Sequence, residues 1–189
     1  MTDTARAAGL AREYDALQGL TFVVMGGAFL FGSVVDEPAV WIALGAAASA
    51  SAPLWYQRRF GTVKPAPDRN AWVALGAATA LLLFLGAYVA DRHLRGPVLL
   101  TLLAVALSLG VGQHLMLRRT GLTPVHLVVH GLVALAAAGP LVGLGTGAQL
   151  LPYVLAVTGG ALVVVGLVDH RRLVRALAPV EDEDHDGGR

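Results

Sequence analysis

The chain of 189 residues contains no cysteine. Disulfides, iron–sulfur clusters, thiolate zinc sites and thiol redox catalysis are therefore excluded together, and redox chemistry says nothing about the compartment. Lysine occurs once, as Lys64, so the basic residues are almost all arginine; with the Ala, Gly, Leu and Val bias this is the composition of a GC-rich bacterial genome. Charge is scarce: 14% of residues are charged against 56% hydrophobic, where soluble domains average about 25% and about 45–50%. The 23 glycines add to the non-polar share. A soluble globule of this size could not hide so much apolar surface. The formal charge of +1 offers no attraction to polyanions, so nucleic acid is not expected as a partner.

Six apolar runs account for the excess: Leu17–Val35, Pro38–Tyr56, Ala71–Ala90, Pro97–Leu117, Pro124–Gly143 and Leu151–Val168. Each has about the 20 residues that cross about 30 Å of hydrocarbon. No Asp, Glu, Lys or Arg lies inside any of them. The expected fold is all-α: a polytopic integral membrane protein, a six-helix transmembrane bundle spanning residues 17–170. Residues 1–16 read as a cytoplasmic N-terminal amphipathic segment, with Leu10, Tyr14 and Leu17 on one helical face. Residues 171–189 read as a cytoplasmic tail. Its basic start, Arg171–Leu177, suits the inner leaflet, and its acidic end, Glu181–Asp186, suits solvent. The first run is as long as a span and lacks an A-x-A site, so it is not read as a cleaved signal.

Orientation follows from the arginines. With the N-terminus inside, cytoplasmic segments hold Arg6, Arg12, Arg58, Arg59, Lys64, Arg69, Arg118, Arg119, Arg171, Arg172 and Arg175. External turns hold Arg92 and Arg95, with Asp91 and His93 beside them. The positive-inside rule gives both termini cytoplasmic in a cell membrane. Arg58-Arg59, Arg118-Arg119 and Arg171-Arg172 are the expected inner-leaflet anchors. Each pair closes a span that opens near a proline (Pro38, Pro97, Pro152), about 20 residues or 30 Å earlier. The even spacing is compatible with three parallel helical-hairpin repeats; shared topogenic constraint is the favoured explanation.

Small residues at four-residue spacing are the expected helix-packing positions: Gly45 and Ser49, then Ala104, Ser108 and Gly112, then Gly139 and Gly143. Gly26-Gly27 and Gly159-Gly160 mark the first and last spans.

Polar groups inside the runs are few. His126 and His130 share a helix face, and His114 and Asp169-His170 fall at a similar depth near the inner side, with Gln113 adjacent. Imidazoles beside a carboxylate are the residues of a metal, haem or proton-relay site. Histidines bonded to carbonyls, to each other or to lipid phosphate account for the same pattern. No particular cofactor is implied.

The motifs of catalysis are missing: no H-E-x-x-H, G-x-S-x-G, Walker A or G-x-G-x-x-G. There is also no aspartate-rich headgroup-transferase motif, no glutamate pair of the prenyl-protein proteases and no P-x-[DE]-x-x-[KR] carrier signature. The expectation is a small non-catalytic accessory or subunit protein of a membrane complex, bound to the bilayer and to a membrane-protein partner or a second copy. One alternative is a transporter or channel for a small neutral or weakly polar solute. A second is a membrane protein using metal or haem at the histidines.

Overall fold

The computed structural model describes residues 14, 17–60, 69–94, 98–117, 121–143 and 147–177. The expected N-terminal segment (Tyr14 apart), Arg118, Arg119 and the acidic run lie outside the described residues. Among the described residues the chain is all-helical, with no strand. The helices are α1 (Leu20–Gly32), α2 (Pro38–Ser49), α3 (Ala52–Phe60), α4 (Arg69–Leu94), α5 (Leu100–Met116), α6 (Pro124–Ala136) and α7 (Leu151–Leu177). Two short 3-10 turns, Gly139–Val142 and Gly147–Leu150, join α6 to α7.

Among the described residues two helical stretches are long and apolar enough to cross a membrane: Pro38–Phe60, which is α2 and α3 taken together, and α7. The other apolar stretches, Leu20–Gly32, Ala78–Asp91 within α4, Leu100–Leu115 and Pro124–Ala136, are shorter. At 1.5 Å per residue, α1 and α6, with 13 residues each, reach about 20 Å. Proline sets two of these limits. Pro53 has no N–H to offer the Ser49 carbonyl, and its ring crowds that oxygen, so the second run breaks at Ala50-Ser51. The hydroxyls of Ser49 and Ser51 close back on Ala46 O (2.8 Å) and Ala48 O (2.6 Å) at the break. Pro140 stands in the same relation to Ala136, where α6 ends. The fifth run is thus a 13-residue helix followed by a 3-10 turn, instead of the expected continuous span to Gly143. In the opposite sense, the sixth helix does not stop at Val168. It continues through Arg171, Arg172 and Arg175 to Leu177, so the basic segment is the end of α7 and no separate surface strip.

Helices adjacent in sequence pack side by side: α1 on α2, α4 on α5, α5 on α6, and α6 on α7. The most extensive contact is between α1 and α7. Glycine makes it. Gly19 and Gly26 are seven residues apart, and so are Gly159 and Gly166. The helices run antiparallel, so Gly19 meets Gly166 and Gly26 meets Gly159. A methyl group added to Gly26 would lie 2.6 Å from Gly159 O, and one added to Gly159 would lie 2.7 Å from Gly26 O. The two backbones touch directly, the packing that small residues permit in membranes.

The other expected packing positions divide. Gly45 is buried against Ala28 of α1, and Ser49 is buried one turn on. Ala104 and Ser108 are half-buried, and Gly139 is buried. Gly112 has no neighbour that an added methyl would reach, and neither has Gly143. Gly143 is instead a conformational residue: its φ of +81° closes the 3-10 turn after Pro140, a left-handed position that favours glycine.

The buried apolar residues form two clusters. One joins Leu99, Leu102 and Val105 to Val129 and Val133 of α6 and to Val154, Ala161 and Val165 of α7. The other gathers Tyr14, Leu17, Tyr56, Leu117 and Leu173, where the start of α1 meets the ends of α3, α5 and α7. Chain ends that the topology expects inside therefore meet at one pole. The opposite pole is tied by polar bonds. Leu99 N–H donates to Ala137 O (2.8 Å), and Tyr153 O–H donates to Ala136 O (3.1 Å). Asp91, near the end of α4, caps α5. Its carboxylate accepts from Leu100 N–H (2.8 Å), Thr101 N–H (2.8 Å) and Thr101 O–H (2.6 Å). These are donors that a helix N-terminus leaves without an intrahelical partner. Asp91→Ala should cost about 1–2 kcal/mol, read as a lower thermal midpoint in detergent, with Asp91→Asn in between.

Candidate functional site

The histidines and Asp169 sort into three bonded sets near the pole where Tyr56, Leu117 and Leu173 meet. In the first, Thr123 and His126 open α6. The turn Thr123-Pro124-Val125-His126 is a capping box, with Thr123 as N-cap, proline in the first turn and histidine in the third helical position. Thr123 N–H donates to His126 Nδ1 at 3.2 Å, and Thr123 Oγ1 lies 2.6 Å from the same nitrogen. A backbone N–H can only donate, so Nδ1 is an acceptor and the ring proton resides on Nε2. Nε2 then donates to Asp169 Oδ1 of α7 at 3.0 Å. Both residues are fully buried, at 0% and 1% exposure.

Asp169 is therefore an interior carboxylate and not the expected span-end residue, because α7 continues past it for two turns. Its Oδ2 has no hydrogen-bond partner. Arg172, one turn later, brings Nη1 to 3.8 Å from Asp169 Oδ1 and donates from Nη2 to Gly121 O at 3.1 Å. Gly121 has φ +74°, the left-handed turn by which the chain leaves α5, so its carbonyl is available to the arginine. Arg172 is thus turned inward, unlike the expected lipid anchor, while Arg58, Arg59 and Arg171 are exposed.

The second set links α5 to α6. His130 Nε2 lies 2.8 Å from Gln113 Oε1, and Gly110 leaves room for the ring, as an added methyl there would sit 3.6 Å from Nδ1. The His126 and His130 rings are 6.4 Å apart. In the third set the Tyr56 hydroxyl accepts from Leu20 N–H (3.2 Å) and lies in hydrogen-bond contact with His170 Nδ1 (2.7 Å), tying α1, α3 and α7 together. Tyr56 is fully buried; Trp55 packs edgewise on its ring and Phe60 stacks on it. Tyr56→Phe removes both bonds and should destabilise the protein by about 1–2 kcal/mol, measured by thermal unfolding in detergent.

His114 joins none of these sets in the described structure; it is exposed on α5. Among the described residues no three His, Asp or Glu side chains are arranged to hold one metal ion. Four of the five candidate residues, His126, His130, Asp169 and His170, are bonded between helices, and His114 is outward. Sequence reasoning placed His114, His126, His130, Asp169 and His170 at one level but missed Thr123, the partner of His126, Tyr56, the partner of His170, and the role of Gln113. The T-P-x-H pattern at a helix start was the available signal for Thr123. No protein family, characterised protein or solved structure matches the chain.

Proposed function

We propose that the protein is a six-span membrane protein with both termini cytoplasmic, acting as a non-catalytic accessory or subunit of a membrane complex. The observation that carries this reading is how polarity is distributed. Apolar side chains face outward on most of the helices: Trp41 and Leu44 on α2, Leu54 and Trp55 on α3, Leu82 and Val89 on α4, Leu107 on α5, Leu132 and Leu135 on α6. Polar interior side chains are largely bonded to one another between helices. A monomeric soluble protein rarely exposes apolar surface so extensively, whereas a bilayer and a helical partner both accept it.

Up-and-down packing of neighbours supports alternate crossing by the runs, the short helices being extended by their terminal turns. On this reading Arg58, Arg59, Arg171, Arg172 and Arg175 lie at the cytoplasmic side and Asp36, Glu37 and Asp91 at the outer side. The α2–α3 unit packs mainly on α1 and leaves Trp41, Leu44 and Trp55 outward, the broadest aromatic face for a partner.

The test is photo-crosslinking in native membranes from a probe at Trp41 or Leu44. A discrete adduct with another membrane protein, or with a second copy of this chain, is the expected result. Protein that crosslinks only to lipid from both positions contradicts the accessory role.

A further inference from the structure

The capping box of α6 carries an unusual residue. Glutamate or glutamine ordinarily occupies the third helical position, and either accepts a hydrogen bond near neutral pH. Here the acceptor is the Nδ1 of His126, which accepts only while it carries no proton. The other ring nitrogen is committed to Asp169. A second proton on the imidazole has one place to go, Nδ1, where it would face the Thr123 N–H and its hydroxyl hydrogen. The bond from Thr123 N–H and the charged ring therefore exclude each other, while the half of the box in which the Thr123 side chain accepts from the His126 backbone does not involve the ring.

We propose that the His126–Asp169 pair is a proton-operated latch on the N-terminus of α6. Proton uptake at Nδ1 breaks the bond from Thr123 N–H, turns the Thr123 hydroxyl round and frees the first turn of α6 with the Gly121–Thr123 connection. The imidazolium remains on Asp169, whose second oxygen, Oδ2, has no partner and can take up the strengthened pair.

The surrounding groups fit that assignment. From α7, Asp169 is the facing carboxylate, Arg172 lies 3.8 Å from it, and His170 is bonded away to Tyr56. From α6, His130 is the neighbouring ring at 6.4 Å. From α5, Gln113 is bonded to His130, and His114 is exposed. Arg172 holds Gly121 O, so movement of the connection is felt at the end of α7. The latch does not depend on the accessory role proposed above, since its readout is the protein's own motion.

The absence of native cysteine permits a direct test with the full chain in lipid nanodiscs. A nitroxide at Val125→Cys, an exposed position in the first turn of α6, reports mobility as pH falls from about 8 to about 5. The expected result is a cooperative gain in the mobile component. It is lost in His126→Gln, which restores an ordinary capping box, and retained in His130→Gln. Nitrogen NMR of labelled histidine supplies a reading on the unmutated residue: His126 should carry its proton on Nε2 at the high end and gain one on Nδ1 over the same pH interval. A neutral ring protonated on Nδ1, a mobility that does not respond to pH, or an unchanged response in His126→Gln would each overturn the latch.

Discussion

Placing leucine at Gly166 should prevent α1 from docking on α7 and lose most of the folded protein. A methyl group at this position already meets Gly19 O, Val23 N at 2.9 Å and the Val23 side chain. Backbone atoms cannot rotate away as a side-chain tip can, so relief requires the two helices to separate. Overpacking of a tight contact costs about 1–3 kcal/mol, and this substitution belongs at the upper end because the contact is backbone on backbone. Gly159→Leu should behave alike, since its first methyl would lie 2.7 Å from both Gly26 O and Leu30 N. Gly160 is the internal control. It is on the same helix, one residue away, with nothing within 4 Å of an added methyl. Gly160→Leu should change stability by less than about 0.5 kcal/mol. The measurement is the monodisperse fraction after heating in mild detergent, and equal loss from positions 160 and 166 would contradict the packing described here.

His126→Ala should be the most damaging substitution at the arginine-bearing pole. It removes the acceptor of the Thr123 N–H and leaves the buried Asp169 with Arg172 at 3.8 Å as its remaining charged neighbour. Removing the neutral ring that donates to a buried carboxylate costs about 3 kcal/mol, because the carboxylate stays desolvated. A cavity and a lost helix cap add to the same side. Asp169→Asn is the informative companion. The amide oxygen can still accept from His126 Nε2–H, so this variant should lose only about 1–2 kcal/mol. If both variants lose equally, the negative charge of Asp169, and not the hydrogen bond, dominates the pair. Thermal unfolding of the two variants in one detergent at fixed pH reads the difference.

How much of this was legible in the residues differs between the two halves of the problem. Helical class followed from apolar runs free of charge, since uninterrupted hydrophobicity of that length admits few other conformations. Helix limits did not follow as well, because Pro53 and Pro140 act four residues back, at Ser49 and Ala136, where the composition is still apolar. The glycine interface was half visible. Gly26 and Gly159 stood out as members of doublets, yet the second close contact is made by Gly19 and Gly166, seven residues away on each side, and not by Gly27 and Gly160 beside them. A seven-residue repeat preserves the helix face almost unchanged, which adjacent residues cannot do.

At the polar site, spacing alone brought His126, His130 and Asp169 to one depth. Spacing could not reveal that Asp169 lies inside a continuing helix, because a basic run after an apolar one looks like an exit from the membrane whether or not the helix goes on. Arg172 illustrates the same limit. It differs from Arg171 only in the face it occupies, and that face turns it toward Gly121 O and Asp169.

The proposed topology is tested most directly by the side from which single cysteines react. Asp36, between α1 and α2, and Arg59, near the end of α3, are both exposed, and no native thiol competes. Intact cells treated with a membrane-impermeant maleimide should label Asp36→Cys at once and Arg59→Cys only after permeabilisation. Labelling of both positions from outside, or the reverse order, would contradict a six-span bundle with its arginines on the cytoplasmic side.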